Sequence, residues 1–198
     1  MRRRKKNTLS FSQKKKIITP KLIREIFSWI TVTIFAVALA AVFVFLFGMQ
    51  VKVIGDSMEP SAYNGQTVLV NKLVLKILGP STGDIVVFLP NGNVNSHYYV
   101  KRVVAGPGDK VQIIDGLLYI NGEVQTEDQD KYDKMEDAGI ASNEITLKSG
   151  EYFVLGDNRN SSEDSRSANI GLVSTNMMIG KAWFKLGQNG HSGGFILD

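Results

Sequence analysis

Lys110-Val111-Gln112-Ile113-Ile114-Asp115-Gly116-Leu117-Leu118-Tyr119-Ile120-Asn121-Gly122-Glu123-Val124-Gln125 reads as three short β-prone runs separated by Asp-Gly and Asn-Gly. Those two dipeptides are the pairs favoured in two-residue hairpin turns, so the stretch predicts an antiparallel meander. Similar runs lie on both sides of it: Gln66–Val70, Asp84–Phe88, Tyr98–Val104, Glu151–Leu155 and Ile179–Phe184, each punctuated by Gly or Asn. No long amphipathic helix pattern follows Lys52. The region from Lys52 to Asp198 is therefore expected to be a mostly antiparallel β domain, large enough for one core or two small lobes.

The N-terminal part differs. Ile26 to Val51 contains no charged residue and is rich in Val, Ile, Phe and Ala, which predicts a membrane-spanning helix of about 20 residues. Trp29 lies near one end, where an interfacial aromatic belongs. The run is longer than the apolar region of about 7–15 residues in a cleaved signal peptide. Residues 1–25 hold ten of the 23 Lys and Arg and a single acid, Glu25. The rest of the chain has 13 basic and 18 acidic residues, a formal charge of −5, so the overall +4 belongs to the N-terminal arm. Beside a spanning helix such an arm marks the cytoplasmic side and touches anionic lipid rather than nucleic acid. The region after Val51 is then expected outside the membrane.

The 198 residues include no cysteine and two histidines, His97 and His191. Disulfides, thiolate nucleophiles and cysteine-ligated zinc are excluded, and a His-rich metal centre is not expected. Neither glycine-rich phosphate loop occurs. No cofactor is expected.

Chemistry is suggested by Tyr98-Tyr99-Val100-Lys101-Arg102-Val103-Val104. A strand sends neighbouring side chains to opposite faces, so one buried face turns Lys101 or Arg102 inward. Arginine stays charged, whereas a desolvated lysine can become a base. Gly55-Asp56-Ser57-Met58-Glu59-Pro60 supplies a serine that such a base could activate, and the preceding glycine lets backbone N–H groups approach a reacting carbonyl. Gly156-Asp157-Asn158-Arg159-Asn160-Ser161-Ser162-Glu163-Asp164-Ser165-Arg166 follows a β run. It reads either as a solvated loop or as a set of short donors and acceptors that could hold the lysine, with Asp164 and Arg166 as a charge-assisted pair and Ser162 orienting the amine. A Ser57–His97 pair is the competing arrangement, but Gly92–Ser96 looks like a polar loop tip and puts His97 at a wet strand end. Thr126 to Lys148 is acidic and polar and is expected to be a solvated loop.

With these pieces in order, the chain resembles bacterial type I signal peptidases of the single-anchor form. The resemblance rests on Gly55–Pro60, Gly83-Asp84-Ile85-Val86-Val87-Phe88, Tyr99-Val100-Lys101-Arg102-Val103-Val104-Ala105-Gly106-Pro107-Gly108-Asp109 and Gly156–Arg166, and runs from about Ile26 to Trp183. It implies a mainly β fold: an N-terminal transmembrane helix, then an antiparallel β-sheet catalytic domain with a small β cap. The implied division is a basic cytoplasmic arm (1–25), an anchor (26–50), a catalytic core (51–109 and 151–186), a cap (110–150) and a tail (187–198). It also implies Ser57 as nucleophile, Lys101 as general base, Ser162 bonded to the lysine amine, and Asp164 and Arg166 bracing the last motif. The oxyanion would meet the Ser57 backbone N–H, while Gly55 stands where many members carry a second, hydroxyl donor. Val53, Met58 and Tyr99 would line the substrate groove. Burial against Tyr99 and Met58, with no carboxylate nearby, would keep Lys101 neutral. Ala105 is one residue more than the commonest form of its motif.

The implied activity is cleavage of signal peptides from exported preproteins after small residues at −1 and −3, by an enzyme anchored in the plasma membrane with its catalytic domain outside. The partners are preproteins and the lipid bilayer. Two other readings remain. A self-cleaving repressor-type peptidase would carry a DNA-binding helix-turn-helix where this chain has the apolar run. A non-catalytic tethered homologue assisting pilus or surface-protein assembly would be signalled by loss of Ser57 or Lys101, and both are present.

Overall fold

The computed structural model describes residues 19–188 and 190–196. Most of the predicted basic arm, and Asn189, Leu197 and Asp198 of the predicted tail, lie outside the described residues. The chain divides into two units after Val42.

Helix α1 (Pro20–Phe47) is capped by Thr19, whose Oγ1 accepts from the Leu22 N–H, with Pro20 at the first helical position. No residue of α1 is buried, and the helix is long and apolar enough to cross a membrane. Thr31 and Thr33 donate their hydroxyls to Phe27 O and Trp29 O, which satisfies them within the apolar run. The helix stops at Phe47, three residues before the predicted end of the anchor. A Cβ on Gly48 would lie 2.6 Å from Val44 O, and Met49–Lys52 leaves the helix to pair as a strand.

In the second unit the strands are β1 (Met49–Lys52), β2 (Thr67–Asn71), β3 (Ile85–Phe88), β4 (Tyr99–Ala105), β5 (Lys110–Ile114), β6 (Leu117–Ile120), β7 (Glu123–Val124), β8 (Ile145–Thr146), β9 (Glu151–Leu155), β10 (Val173–Ser174), β11 (Met178–Lys185) and β12 (Gly194–Phe195). Short helices α2 (Lys72–Ile77) and α3 (Thr126–Lys131) follow β2 and β7. One antiparallel sheet has the order β1-β2-β11-β3-β4-β9-β10, with β12 added to β11; the other is β7-β6-β5-β8. The mainly β, antiparallel architecture read from the sequence is the one observed. Asp115 and Gly116 (φ 50° and 77°) and Asn121 and Gly122 (φ 55° and 81°) hold the two hairpin turns in the left-handed conformation their residue types favour.

Three apolar clusters fix the sheets. Val51, Val53, Met58, Val68, Val70 and Val100 belong to one, and Val86, Phe88, Val103, Tyr152 and Val154 to another. The third joins the sheets: Val104, Ala105, Phe153 and Leu155 of the larger meet Val111, Ile113 and Leu118 of the smaller. Met135, Ala141 and Leu147 complete this last cluster and are buried. The expectation of a solvated loop over 126–148 is therefore corrected. Its acidic residues face outward or find partners, while its few apolar ones close the inter-sheet core.

The extra residue at Ala105 is absorbed as a bulge. Val103 pairs with Val154 and Ala105 with Phe153, so Val104 is passed over in the ladder.

Candidate active site

Strand β4 lies between β3 and β9, with apolar clusters on both faces, and this overrides the alternation rule. Lys101 and Arg102 are both buried, at 4% and 5% exposure. Each must then find partners, because a buried charge without them is strongly destabilising.

Arg102 is fully engaged. Its Nε and Nη2 bind Asp157 Oδ1 and Oδ2 at 2.8 and 2.9 Å, Nη1 donates to Gly83 O, and Nη2 also reaches Ser61 Oγ. Lys101 makes a different contact: its Nζ lies 2.5 Å from Ser57 Oγ, in a buried setting. Burial lowers the Lys101 pKa from 10.5 to about 8, against the raising influence of Asp164, Glu163 and Asp157, while Arg166 lowers it further. The lowered direction agrees with the sequence reading, but the surroundings do not: carboxylates are near, and desolvation outweighs them.

Ser57 sits on a turn prepared by Gly55, which adopts φ +78°. The Gly55 N–H donates to Asn64 Oδ1 at 3.1 Å, so it is not available to a developing oxyanion. The Ser57 N–H has no acceptor among the described residues. Ser57 O accepts from the Asn158 N–H at 3.1 Å, which ties the Ser57 turn to the loop after β9.

That loop is only partly solvated, despite its composition: Asn160, Ser161 and Glu163 are exposed. Asp157, Arg159, Asp164, Ser165 and Arg166 are all buried. The expected Asp164–Arg166 pair forms: Arg166 Nε and Nη2 bind Asp164 Oδ1 and Oδ2 at 2.8 and 2.9 Å, and Asp164 Oδ2 also accepts from the Gly156 N–H. Ser162 differs from expectation. Its hydroxyl is buried with no hydrogen-bond partner and does not bond the Lys101 amine. It packs instead over Gly156, where a Cβ would come within 2.2 Å of Ser162 Oγ and 2.5 Å of Ser57 O.

An open cleft runs over this pair, walled by Val53, Tyr99, His97 and Glu163, with Ser57 and Lys101 at its floor. Met58 is not a wall residue: it is fully buried in the core beneath, where its unbranched side chain fills space among Val51, Val53 and Val100. His97 precedes β4, is exposed, and stacks on Tyr99 at 4.8 Å. Among the described residues no cluster of His, Cys, Asp or Glu could hold a metal ion.

Glu163 and Asp157 were not singled out by sequence reasoning, and Arg102 only as the alternative to Lys101 for the inward position. Arg102 carried a usable signal, since an arginine in a β run covered on both sides requires a carboxylate partner. Nothing in the sequence alone pointed to Glu163 as a cleft residue.

The family model described as signal peptidase, peptidase S26, matches residues 26–186. Signal peptidase IB of Staphylococcus aureus (strain COL) is 35% identical over 182 residues, covering 82% of this chain and 90% of that protein. Signal peptidase I of Bacillus amyloliquefaciens is 35% identical over 162 residues, covering 79% and 82%. A crystal structure of a signal peptidase I from Enterococcus faecalis aligns with a TM-score of 0.39 and 30% identity, over 52% of this chain and 95% of that one. With the match spanning both the apolar helix and the two sheets, the chain belongs to the signal peptidase family, peptidase S26, and is a serine peptidase.

Proposed function

We propose that this protein is a membrane-tethered signal peptidase that cuts exported preproteins through a Ser57–Lys101 dyad. The observation that carries this reading is the 2.5 Å approach of a buried lysine amine to a serine hydroxyl. An amine whose pKa is lowered to about 8 is partly neutral near physiological pH and can accept a proton.

Lys101 Nζ takes the proton of Ser57 Oγ as the oxygen attacks the scissile carbonyl carbon. The negative charge that develops on the carbonyl oxygen is met by the Ser57 N–H. The tetrahedral intermediate collapses, the C–N bond breaks, and Lys101 returns its proton to the leaving amine of the mature protein. The signal peptide is then held as an ester on Ser57. Neutral Lys101 next takes a proton from water, whose oxygen attacks the ester carbonyl, and the protonated amine restores the Ser57 hydroxyl.

Substrate enters as an extended segment beside Val53–Ser57 and β4, adding a strand whose alternate side chains face the enzyme. Val53 and Tyr99 then bound small pockets, which favours small residues at −1 and −3. In this reading α1 is the anchor, the basic arm stays in the cytoplasm and the sheets lie outside. Residues 51–109 with 151–186 form the catalytic core, and 110–150 its cap.

Cleavage of a preprotein by the purified full-length protein tests the reading. Ser57→Ala and Lys101→Ala each abolish turnover, whereas His97→Ala retains it. Near-normal activity of Lys101→Ala would rule out the dyad, and loss of all activity in His97→Ala would favour a Ser-His scheme.

A further inference from the structure

Three carboxylates, Asp164, Glu163 and Asp157, act on the Lys101 amine against its burial, and they are not equivalent. Asp157 is bound through both oxygens by Arg102, and Asp164 through both oxygens by Arg166. Glu163 makes no ion pair among the described residues. Its Oε2 accepts from the Tyr99 hydroxyl at 3.2 Å, and its Oε1 accepts from Asn169 Nδ2 at 3.4 Å. The Tyr99 ring so anchored lies beneath the amine, with Lys101 Nζ 5.8 Å from its centroid, and His97 stacks on the same ring.

Resting on the dyad reading, we infer that Glu163 is a positioning residue of that dyad, holding the Tyr99 ring under the amine and presenting to it the one carboxylate that no cation cancels. Other groups facing the amine are Ser57 from its turn, Tyr99 from β4, and Asp157, Asp164 and Arg166 from the loop after β9. Asp56 and His97 also line the cleft. The Asp157 and Asp164 charges are each partly offset by a guanidinium at contact distance, though Asp164 still raises the amine more than Glu163 does. The Glu163 field is that of a single charge, and it favours the protonated amine. Its influence on Lys101 is in the raising direction, and it raises the Tyr99 hydroxyl as well, after burial. Glu163, although exposed, thus contributes to how much neutral base the enzyme holds at a given pH.

The test is Glu163→Gln in the full-length protein, which keeps the side-chain length and an acceptor for Tyr99 but removes the charge. The acid limb of kcat/KM moves to lower pH. At pH 6.5, where activity on that limb falls tenfold per unit, kcat/KM relative to its plateau rises on the order of twofold to threefold. Tyr99→Phe, which keeps the charge and drops the bond, raises KM and leaves the limb in place. NMR titration of the Lys101 amine in 15N-lysine-labelled protein follows the same shift without recourse to activity. A Glu163→Gln profile and amine titration superimposable on the parent's would overturn the inference, as would an equal shift in Tyr99→Phe. Near-normal turnover by Lys101→Ala would sink the dyad reading instead, while the amine titration would still decide the role of Glu163.

Discussion

Asp128 grips Arg159 by two parallel bonds, Oδ2 to Nη1 and Oδ1 to Nη2, each 2.5 Å long. Arg159 is 1% exposed, and the Tyr132 ring covers its guanidinium at 4.2 Å. The same arginine donates from Nε to Gly156 O within its own loop. The acidic segment after β7 is thereby fastened to the loop that borders Ser57. Removing the carboxylate would leave a buried guanidinium with one partner fewer, which costs about 3 kcal/mol. Asp128→Ala is expected to lower the melting temperature by about 6–12 °C for a domain of this size. Asp128→Leu combined with Arg159→Met recovers part of that loss, because the pair rather than either charge alone is what the interior tolerates. Thermal unfolding in detergent, followed by circular dichroism, checks both.

Gly156 is tightly packed behind Ser57. A methyl group there would sit 2.5 Å from the Ser57 carbonyl oxygen, a backbone atom that cannot swing aside alone. The Asn158 N–H bond to that carbonyl would be stretched by the same displacement. Moving a nucleophile by about 1 Å costs about a hundredfold in rate. Gly156→Ala should therefore fold and bind preprotein with a kcat reduced on the order of a hundredfold, and single-turnover kinetics would localise the loss to acylation.

How much of this was legible in the sequence depended on whether the deciding partner was near in the chain. The strands were readable because β-prone runs and Asp-Gly or Asn-Gly turns are local signals, and β5, β6 and β9 occupy the stretches expected of them. The Ser57–Lys101 approach could be anticipated as a pairing of residue types, though its distance could not. Alternation failed at β4 because it assumes one wet face, and the packing of the smaller sheet over Val104 and Ala105 removes that face. The 126–148 and 156–166 segments look solvated by composition. In 126–148 the described charges stay exposed or half-buried, whereas in 156–166 the buried Arg159 and Asp157 meet their opposites across the fold, Asp128 and Arg102, at separations of 31 and 55 residues. Pairing over such distances leaves no periodic trace.

Topology is open to a clean test because the chain has no cysteine. Val94 is 80% exposed on the loop between β3 and β4. A Val94→Cys protein should react with a membrane-impermeant maleimide in intact cells, whereas Ser12→Cys in the basic arm should react only after the membrane is opened. The asymmetry of ten basic residues before Ile26 predicts this orientation under the positive-inside rule. The reverse labelling pattern would place the sheets in the cytoplasm and remove preprotein cleavage outside the membrane as a function.

Lys101 should make the protein less stable at the pH where it works. Its pKa is about 8 in the folded chain against 10.5 for the free side chain, so between these values the unfolded state binds more protons than the folded one. Stability then rises with pH across that window, and below pH 8 the cost of the buried ammonium is fully present. A shift of this size corresponds to about 3 kcal/mol. Lys101→Met, which keeps the volume and removes the charge, is expected to raise the melting temperature at pH 7 and to lose that advantage as the pH approaches 10.5. Activity favours the same neutral amine: kcat/KM of the parent climbs about tenfold per unit below pH 8 and levels off above it. Paired pH series of melting temperature and kcat/KM would show stability beginning to rise at the pH where kcat/KM levels off, if one group governs both. A stability gain in Lys101→Met that did not vary with pH would mean that packing, rather than the proton on the amine, sets the cost.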